Sequence, residues 1–357
     1  MYFDERESSD GRVHDAQRLK ELQALPLHRK IHITAARIVG WYTYFNGNVY
    51  VAFSGGKDST VLLDMARKLF PDIGAMFANT GLEYPEIQKF VKSFDNVTIV
   101  RPKMRFDEVI KKYGYPMISK EVSKAVSAAR RLDSKFGQVC RVRLEGKHTT
   151  KDGMLSKFNI GKYKPLQNVD FMISDMCCFV MKKTPSKIFE KQSGKVGITA
   201  QMANESRLRK QSWINHGCNS FDSTRPISNP MSFWTEQDVL QYIKAFDLPI
   251  APVYGDVVYT DRFGYEYPCS IGGCADLKTT GCSRTGCIFC GYGAHMEKGE
   301  NRFQRLKRTH PKQYAYCMNG GEYNEDGLWI PNKDGLGMAH VLDELNRIYG
   351  SDFIPYE

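Results

Sequence analysis

The stretch VYVAFSGGKDSTVLL, residues 49–63, decides the fold of this chain. Its first five residues are β-branched or aromatic with one alanine, and they have the length of one buried strand. Its last residues continue into a helical pattern. A polar turn containing two glycines joins the two parts. The stretch therefore predicts a strand, a tight turn and the N-terminus of a helix.

The turn SGGKDS has the composition of an anion site. Its glycines let backbone N–H groups approach a phosphate, and the dipole of the following helix favours negative charge. The lysine adds a positive charge, and the two serines add hydroxyl donors. The spacing differs from the P-loop G-x-x-x-x-G-K-[ST], so an ordinary P-loop NTPase is disfavoured, and a plain strand-to-helix turn is the alternative. The predicted phosphate-binding residues are Ser54, Gly55, Gly56, Lys57, Asp58 and Ser59.

Strands and helices alternate after this turn. Residues 74–78, 97–100 and 194–199 read as three further strands with helical patterns between them. This alternation predicts a Rossmann-like α/β fold, a doubly wound parallel sheet with right-handed crossovers. Ligands bind such sheets beyond the carboxyl ends of the strands. The residues after the second strand should therefore share a crevice with the turn; they are Asn79, Thr80 and Gly81.

A second group of charged residues follows the predicted strand at 194–199. Glu205, Arg207 and Arg209 stand close together in the segment AQMANESRLRK. Two arginines and a carboxylate at a strand end are suited to binding phosphate or sulfate. A solvated helix face with an internal ion pair is the alternative.

Length and charge limit the class of protein. The 357 residues are 42% hydrophobic, which is enough for a substantial core and about two domains. No apolar run approaches the ~20 residues of a membrane helix, so we expect a cytoplasmic protein with no membrane partner. The net charge is +10, and residues 111–164 hold fourteen Lys/Arg against four Asp/Glu. This basic block predicts either a solvated surface or a footprint for nucleic acid or a polyphosphate.

Eight of the ten cysteines lie between Cys177 and Cys290, which favours metal or redox chemistry over disulfides in a cytosolic chain. Cys177 with Cys178, and Cys287 with Cys290, offer four thiolates from two segments. Thiolate ligation suits zinc or an iron–sulfur cluster. A zinc ribbon uses two CxxC-like knuckles, so the adjacent pair favours [4Fe–4S] over Zn²⁺. Cys282 offers an alternative ligand set with Cys178.

Six blocks of the chain together resemble the phosphoadenosine phosphosulfate (PAPS) reductase-like family. This family belongs to the PP-loop ATP pyrophosphatase, or adenine nucleotide α-hydrolase, superfamily. The blocks are SGGKDS (54–59), NTGLEYPE (79–86), CCFVMKKTP (177–185), NES-x-x-R (204–209), WTEQDVLQYI (234–243) and GCIFCG (286–291).

The resemblance implies an adenine nucleotide, ATP or PAPS, over the PP-loop and residues 79–81. If this chain cleaves ATP as such members do, Lys57 would stabilise the phosphates, and Asp58 would help to hold Mg²⁺. The pattern of cysteines also resembles that of adenylyl-sulfate reductases. It implies a [4Fe–4S] cluster with four ligands, which are Cys177, Cys178, Cys287 and Cys290.

The chain departs from the dedicated reductases in one respect. Their catalytic cysteine lies in a Glu-Cys-Gly-Ile/Leu-His context, whereas Cys317 lies in Tyr-Cys-Met-Asn. The intact SGGKDS turn is similar to relatives that split ATP into AMP and pyrophosphate. We therefore predict ATP-dependent adenylation and sulfur transfer to a small acceptor or to a nucleic acid, tRNA or DNA, bound by the basic block.

Two other functions remain open. One is a nucleotide-sulfate reductase that uses Cys282 or Cys218 as its nucleophile, and the other is a non-catalytic regulator that binds nucleotide and nucleic acid. Cys218, Cys269 and Cys274 also fit a plain role as buried apolar residues. The expected partners include a sulfur or electron donor protein, and a homodimer stays open.

The sequence predicts three regions. Residues 1–45 would form an N-terminal helical segment. Residues 46–260 would form the nucleotide-binding α/β domain, with a basic insertion at about 120–170. Residues 261–357 would form a Cys-rich, basic C-terminal region.

Overall fold

A computed structural model of the chain describes residues 14–131, 133–221, 224–261, 263–267 and 276–357. Their backbone divides into two compact units, each of which is treated by itself below. The first unit comprises described residues within 14–79, 83–100 and 186–285, and the second those within 80–82, 101–185 and 286–357. The three regions predicted along the sequence are a different description of the chain, and they stay a prediction.

The elements are numbered in chain order. The helices are α1 (Ala16–Gln23), α2 (Leu27–Tyr44), α3 (Lys57–Leu69), α4 (Pro85–Lys92), α5 (Phe106–Tyr113), α6 (Lys120–Ala129), α7 (Lys135–Leu144), α8 (Met176–Cys178), α9 (Thr184–Ser193), α10 (Arg207–His216), α11 (Glu236–Ala245), α12 (Arg302–Thr309), α13 (Pro311–Met318) and α14 (Met338–Tyr349). The strands are β1 (Val49–Ala52), β2 (Gly74–Ala78), β3 (Val97–Val100), β4 (Met117–Ile118), β5 (Val196–Ile198), β6 (Asn219–Ser220), β7 (Ile227–Ser228), β8 (Val257–Thr260), β9 (Glu266–Tyr267), β10 (Asp276–Thr279), β11 (Gly291–Tyr292), β12 (Glu322–Tyr323) and β13 (Trp329–Ile330).

A six-stranded sheet forms the centre of the first unit. Its strand order is β3-β2-β1-β5-β7-β6, and the β1–β2, β2–β3, β1–β5 and β5–β7 pairs are parallel. Only the short edge strand β6 pairs antiparallel, with β7. The chain runs outward from β1 to β3 and then resumes at β5 on the other side of β1. The predicted Rossmann-like, doubly wound α/β fold is therefore confirmed, and the strand order reverses between β1 and β5.

Strand β1 and helix α3 confirm the interpretation of residues 49–63. Val49, Tyr50 and Val51 are all buried, as a central parallel strand requires. Helix α3 begins at Lys57 and buries Val61 and Leu62 completely. A strand that is buried on both faces and a helix with one apolar side together place the intervening turn at the carboxyl edge of the sheet.

Gly55 is held in this turn by two constraints. Its φ of +71° lies in the left-handed region, which disfavours side chains. A Cβ at this position would also lie 2.8 Å from Val91 Cγ2 and 2.9 Å from Ile87 Cγ2. Both of these side chains belong to α4 and are buried. Only glycine satisfies the backbone angle and the close packing of α4 together.

A buried ion pair connects α2 with α11 in the same unit. Lys30 Nζ lies 2.6 Å from Asp238 Oδ2, and the two side chains are only 2% and 9% exposed. Lys30 also donates to the Gln23 carbonyl at 2.7 Å. Asp238 accepts from the backbone N–H of Thr235 at 2.7 Å, and this bond completes the capping box of α11. Each buried charge is thus paired and hydrogen-bonded.

The second unit has a core of its own, in which Tyr115, Phe171 and Phe303 are completely or almost completely buried. The Tyr115 hydroxyl donates to the Leu336 carbonyl at 2.7 Å. This bond ties the middle of the unit to its C-terminal part. The predicted basic insertion lies in this unit and contains α6 and α7.

Two further expectations concern the whole chain. None of the described helices is both long enough and apolar enough to span a bilayer. Helices α1 and α2 lie within the predicted N-terminal helical segment, whereas residues 1–13 fall outside the described residues.

The substitution Gly55→Ala should destabilise the protein. The left-handed φ and the overlap with Val91 and Ile87 together predict a loss of about 2–5 kcal/mol in the free energy of unfolding. Chemical denaturation measures it. Gly40→Ala is the matched control, because Gly40 is exposed inside α2 and a Cβ there would have no atom within 4 Å. That change should stabilise the protein by about 0.5–1 kcal/mol. Equal effects at both positions would contradict the argument.

The substitution Lys30→Met should destabilise the protein by about 3–5 kcal/mol, because it leaves the Asp238 carboxylate buried without its partner. Chemical denaturation again gives the free energy. Arg18→Met serves as the control, since the Arg18–Glu21 pair is about half exposed on both sides. Its loss should cost about 0.2–1 kcal/mol. A Lys30 variant no less stable than the Arg18 variant would refute the prediction.

Candidate functional site

The turn after β1 is organised by its own hydroxyl groups. The Ser54 and Ser59 Oγ atoms lie 3.0 Å apart, and the Ser54 N–H donates to Ser59 Oγ at 3.2 Å. The Gly56 N–H donates to Ser54 Oγ at 3.3 Å, and Ser59 Oγ donates to the Gly56 carbonyl at 3.0 Å. Gly56 also has little free space, since a Cβ there would lie 3.2 Å from Ser54 Oγ. These bonds fix the turn that leads into α3.

Lys57 is the first residue of α3, and its side chain is only 5% exposed. Its Nζ lies 3.0 Å from Glu236 Oε1 at the start of α11. It also lies 5.4 Å from the centre of the Tyr254 ring, a cation–π distance. The Tyr254 hydroxyl is 2.5 Å from Thr285 Oγ1. Burial raises the pKa of Tyr254 to about 12. The ammonium group is therefore held in place while its carboxylate partner, 52% exposed, faces solvent.

Two arginines share one carboxylate beyond the end of β5. Glu205 forms ion pairs with Arg209 and, at 2.8 Å, with Arg284 Nη2. Glu205 is itself held, because its Oε2 accepts from the Met202 N–H at 3.0 Å. The Glu205–Arg209 pair is the internal ion pair considered above, but it is not confined to one helix, since Arg284 joins it. Arg207 is exposed and takes no part in these ion pairs.

Asp58 connects the two groups electrostatically. The pKa of its carboxyl is raised because burial outweighs the positive charges of Lys57, Arg284 and Arg209, and Glu236 adds to the increase. Burial lowers the pKa of Arg209, and the neighbouring Arg284 lowers it further. The residues after β1 and those after β5 thus act on one another across the point where the strand order reverses. The charges of three cations thus act on one partly buried carboxyl group.

This arrangement suits a polyphosphate. The three cations provide one Lys and two Arg side chains, and α3 adds N–H groups at its first turn. The carboxylates of Glu205 and Glu236 neutralise these cations in the absence of an anion. Asp58 would be available to a magnesium ion, which usually takes one or two carboxylates and completes its shell with phosphate oxygens and water.

The structure places the predicted residues after β2 in different units. Asn79 belongs to the first unit and is buried, and its N–H donates to the Val100 carbonyl at 2.9 Å. Thr80 and Gly81 belong to the second unit. Gly81 has a φ of +75°, which fits the predicted turn. A shared role for the three residues at the phosphate site stays a prediction.

The two cysteine-bearing segments meet in the second unit. Ile173 pairs with Tyr115, and β11 pairs with β4, so both segments run beside residues 115–118. The Tyr292 hydroxyl donates to the Ser174 carbonyl at 3.1 Å and links them directly. Close approach at β11 requires glycine, because a Cβ on Gly291 would overlap the side chain of Met117. Backbone pairing therefore brings together residues more than 100 positions apart in the sequence.

The four predicted ligands lie at these segments. Burial raises the pKa of Cys177, and Cys178, Cys287 and Cys290 raise it further. Burial also raises the pKa of Cys290 to about 12, with Cys287 as the next cause. A π-helical turn, Phe179–Lys183, follows Cys178 directly. Such turns occur often at functional sites.

These thiols fit the donor chemistry of an iron–sulfur cluster, since all four are cysteines in one neighbourhood. Within the described residues, however, no group of three His, Cys, Asp or Glu side chains surrounds the position of a single metal ion. In a [4Fe–4S] cluster each thiolate binds a different iron atom, so its sulfurs need not converge on one point. A tetrahedral zinc site does require that convergence.

The remaining described cysteines are all buried. Cys140 and Cys317 are completely inaccessible, and Cys218 and Cys282 are at most 4% exposed. Cys218 accepts hydrogen bonds from Arg37 Nη1 at 2.6 Å and from Trp213 Nε1 at 3.3 Å. Cys269 and Cys274 lie outside the described residues.

Sequence reasoning missed three members of the site, which are Arg284, Glu236 and Tyr254. Arg284 lies between Cys282 and Cys287, and only the cysteines of that segment were interpreted. Glu236 lies in the block WTEQDVLQYI, which was used only for the family resemblance. Tyr254 lies in a proline-rich connector. No local pattern relates these residues to the turn, because they reach it only through the fold.

Comparison with known proteins gives a match over most of this region. The family model described as "Phosphoadenosine phosphosulfate reductase domain" matches residues 48–291. A phosphoadenosine 5′-phosphosulfate reductase of Alkalilimnicola ehrlichii is 23% identical over 226 residues, which cover 61% of this chain and 72% of that protein.

Two further matches are more limited. An uncharacterized protein of Methanocaldococcus jannaschii is 36% identical over 75 residues, 20% of this chain, and the match spans only 18% of that protein's length. The crystal structure of phosphoadenylyl-sulfate (PAPS) reductase from Candida auris, a phosphate complex, is 16% identical. It covers 72% of this chain and 98% of its own, with a TM-score of 0.36.

The predicted family is confirmed by the family match, which spans both the turn after β1 and the CxxC segment, and thus more than half of the 357 residues. The chain belongs to the family of the phosphoadenosine phosphosulfate reductase domain.

Proposed function

We propose that the protein binds ATP at the turn after β1, transfers its adenylyl group to an acceptor and releases pyrophosphate, as the first half of a sulfur transfer. The observation that carries this proposal is a set of three cations, Lys57, Arg209 and Arg284, that are held by ion pairs and whose charges all act on Asp58 after β1. Members of this fold class bind nucleotides at that position. The acceptor is a nucleic acid or a small molecule.

Each charged residue has a role in this reaction. Glu236 is half exposed, so its carboxylate can turn to solvent when phosphate oxygens take its place beside Lys57. Arg209 and Arg284 remain oriented by Glu205 and bind further phosphate oxygens. Asp58 takes part in holding the magnesium ion that accompanies the nucleotide. These fixed charges stabilise the negative charge that develops on the phosphates.

The chemical steps follow from the nucleotide. An oxygen atom of the acceptor attacks the α-phosphorus, and the bond from that phosphorus to the bridging oxygen breaks. Pyrophosphate leaves with its charge stabilised by the lysine and the two arginines. Hydrosulfide supplied by a donor protein then attacks the carbon that bears the adenylated oxygen. A carbon–sulfur bond forms, the carbon–oxygen bond breaks, and AMP leaves.

The burial of Cys218, Cys282 and Cys317 supports ATP over a nucleotide sulfate as the substrate. A reductase of this type needs an accessible, ionised thiol to take sulfite from the nucleotide. Cys218 and Cys282 are buried, and burial also raises the pKa of Cys317. Reduction of PAPS is nevertheless the second candidate, because the Alkalilimnicola ehrlichii relative is named as a PAPS reductase.

We also propose that Cys177, Cys178, Cys287 and Cys290 hold a [4Fe–4S] cluster. The clustering of the four thiols supports this, and so do the raised pKa values of Cys177 and Cys290. A neutral thiol in such surroundings gains a stabilising partner when a metal ion displaces its proton. A cluster in this place would supply an iron atom or a sulfide for sulfur chemistry. Arg302, which donates to the Cys290 carbonyl at 2.9 Å, would help to fix the ligand segment.

The substitution Lys57→Ala should lower the rate of pyrophosphate release from ATP by roughly 100- to 1,000-fold, because it removes a fixed cation from the phosphates. Pyrophosphate is measured with anaerobically purified protein in the presence of tRNA, DNA or small acceptors. Lys68→Ala on the same helix is the control, since Lys68 pairs with Asp64 and should leave the rate unchanged.

Two results would overturn the ATP proposal. One is the absence of pyrophosphate release by the wild-type protein with every acceptor class. The other is thioredoxin-dependent release of sulfite from PAPS or adenylyl sulfate, which would favour the reductase.

Anaerobically purified protein should be brown and contain about four irons and four sulfides per chain. Cys287→Ser and Cys290→Ser should each lower the iron content, because the hydroxyl is a poorer ligand than the thiolate. Cys140→Ser, in α7 of the same unit, should retain the metal. Stoichiometric zinc in the wild-type protein would refute the cluster.

A further inference from the structure

Helix α7 presents an apolar strip to solvent. Phe136, Val139 and Val142 are 43%, 43% and 40% exposed, and they lie three residues apart along one side of the helix. The other side of the helix is buried through Cys140 and Leu144. The strip is therefore not a part of the core that the helix needs for its own packing.

The segment after α7 also exposes apolar side chains. Met154, Leu155 and Phe158 are 65%, 72% and 53% exposed. The segment is fixed against the helix, because Arg143 Nε donates to the Phe158 carbonyl at 2.8 Å and the Ile160 N–H donates to the Arg143 carbonyl at 2.9 Å. We call the strip and this segment together the α7 surface.

Positive charge surrounds the α7 surface. Lys124 Nζ lies 5.0 Å from the centre of the Phe136 ring, and Lys157 Nζ lies 5.6 Å from that of Phe158. Residues 120–164 contain twelve Lys/Arg and four Asp/Glu, an excess of eight positive charges. Two of the four acids, Glu121 and Glu145, are already ion-paired within the block. Each exposed phenylalanine thus has a lysine beside it in a strongly basic region.

We propose that the α7 surface binds single-stranded nucleic acid, with bases stacked on Phe136 and Phe158 and phosphates bound by the neighbouring lysines. Proteins that bind single strands combine two elements, aromatic side chains on which bases stack and a basic surface that binds the phosphates. The α7 surface has both. The proposal rests on a nucleic acid as the acceptor of the proposed reaction, and it specifies both the class of that acceptor and the residues that hold it.

The chemistry of the α7 surface fits a single strand better than other partners. A base in a duplex is already stacked, so a duplex would use the lysines and leave the phenylalanines without a role. A helix that binds at a membrane interface separates a charged face from an apolar face. Here lysines lie over the phenylalanine rings themselves.

The test is binding of the full-length protein to fluorescent 20-nucleotide RNA and DNA single strands, measured by anisotropy without ATP. A duplex of the same sequence and anionic lipid vesicles are the comparison ligands. We expect a single strand to bind more tightly than the duplex. The single strand that binds with the higher affinity, RNA or DNA, then indicates which nucleic acid is the acceptor. We also expect affinity to fall with salt, as counterion release requires.

The decisive variants change only exposed side chains. Phe136→Ala and Phe158→Ala should each weaken single-strand binding by roughly 5- to 100-fold. Substitution of either residue by Leu should weaken it similarly, whereas substitution by Trp should preserve it, because stacking requires an aromatic ring. Phe263→Ala is the matched control, since Phe263 is 72% exposed in the first unit. Lys124→Ala and Lys157→Ala should each reduce the salt dependence.

Several results would refute the inference. They are no single-strand binding by the wild-type protein, equal binding of duplex, preference for vesicles, or full affinity of the leucine variants. A failure of the proposed function is distinguishable from these. Phenylalanine-dependent binding without pyrophosphate release would retain the α7 surface and reject the ATP chemistry, whereas pyrophosphate release without such binding would do the opposite.

Discussion

The site depends on the packing of a backbone turn against a helix at Gly55. The turn after β1 can close above the sheet only because this residue accepts a φ of +71° and leaves room for the Val91 and Ile87 methyl groups. The Ser54–Ser59 hydrogen bonds then fix the turn, and α3 starts with Lys57 already in place. A side chain at Gly55 would move α4 or the turn, and the cation would move with it.

The strand order gives this turn its partners. Because β5 lies beside β1 in parallel, the segment after β5 ends at the same edge of the sheet. Arg209 is thereby placed within electrostatic reach of Asp58, and Arg284, which pairs with Glu205, joins it from a distant part of the chain. The result is a set of cations whose carboxylate partners differ in their exposure to solvent. Glu236 is half exposed and can leave, whereas Glu205 is largely buried and can orient its arginines throughout.

In the second unit, too, backbone pairing brings distant segments together, and these segments carry cysteines. Short pairings beside residues 115–118 bring the two cysteine segments together, and burial together with the other three thiols raises the pKa of Cys177. The basic insertion of this unit combines structural and exposed cations. Arg130 donates to the Phe171 carbonyl at 3.0 Å, for example, whereas Lys124 lies over an exposed phenylalanine ring. Some cations of the basic block therefore hold the unit together, and others lie at its surface. Whether the surface cations are only solvated or bind a ligand stays a prediction.

The sequence by itself determined the strand, the turn and the helix at residues 49–69, the alternation of strands and helices, and the family, because these depend on local composition and on ordered motifs. It also singled out Lys57, Asp58 and the cysteine segments. Only the tertiary structure decided that Arg284, Glu236 and Tyr254 belong to the site, and that Phe136 and Phe158 are exposed. The physical reason is that side-chain burial, and ion pairing between residues 79 to 208 positions apart, depend on strand order and packing, which no local pattern encodes.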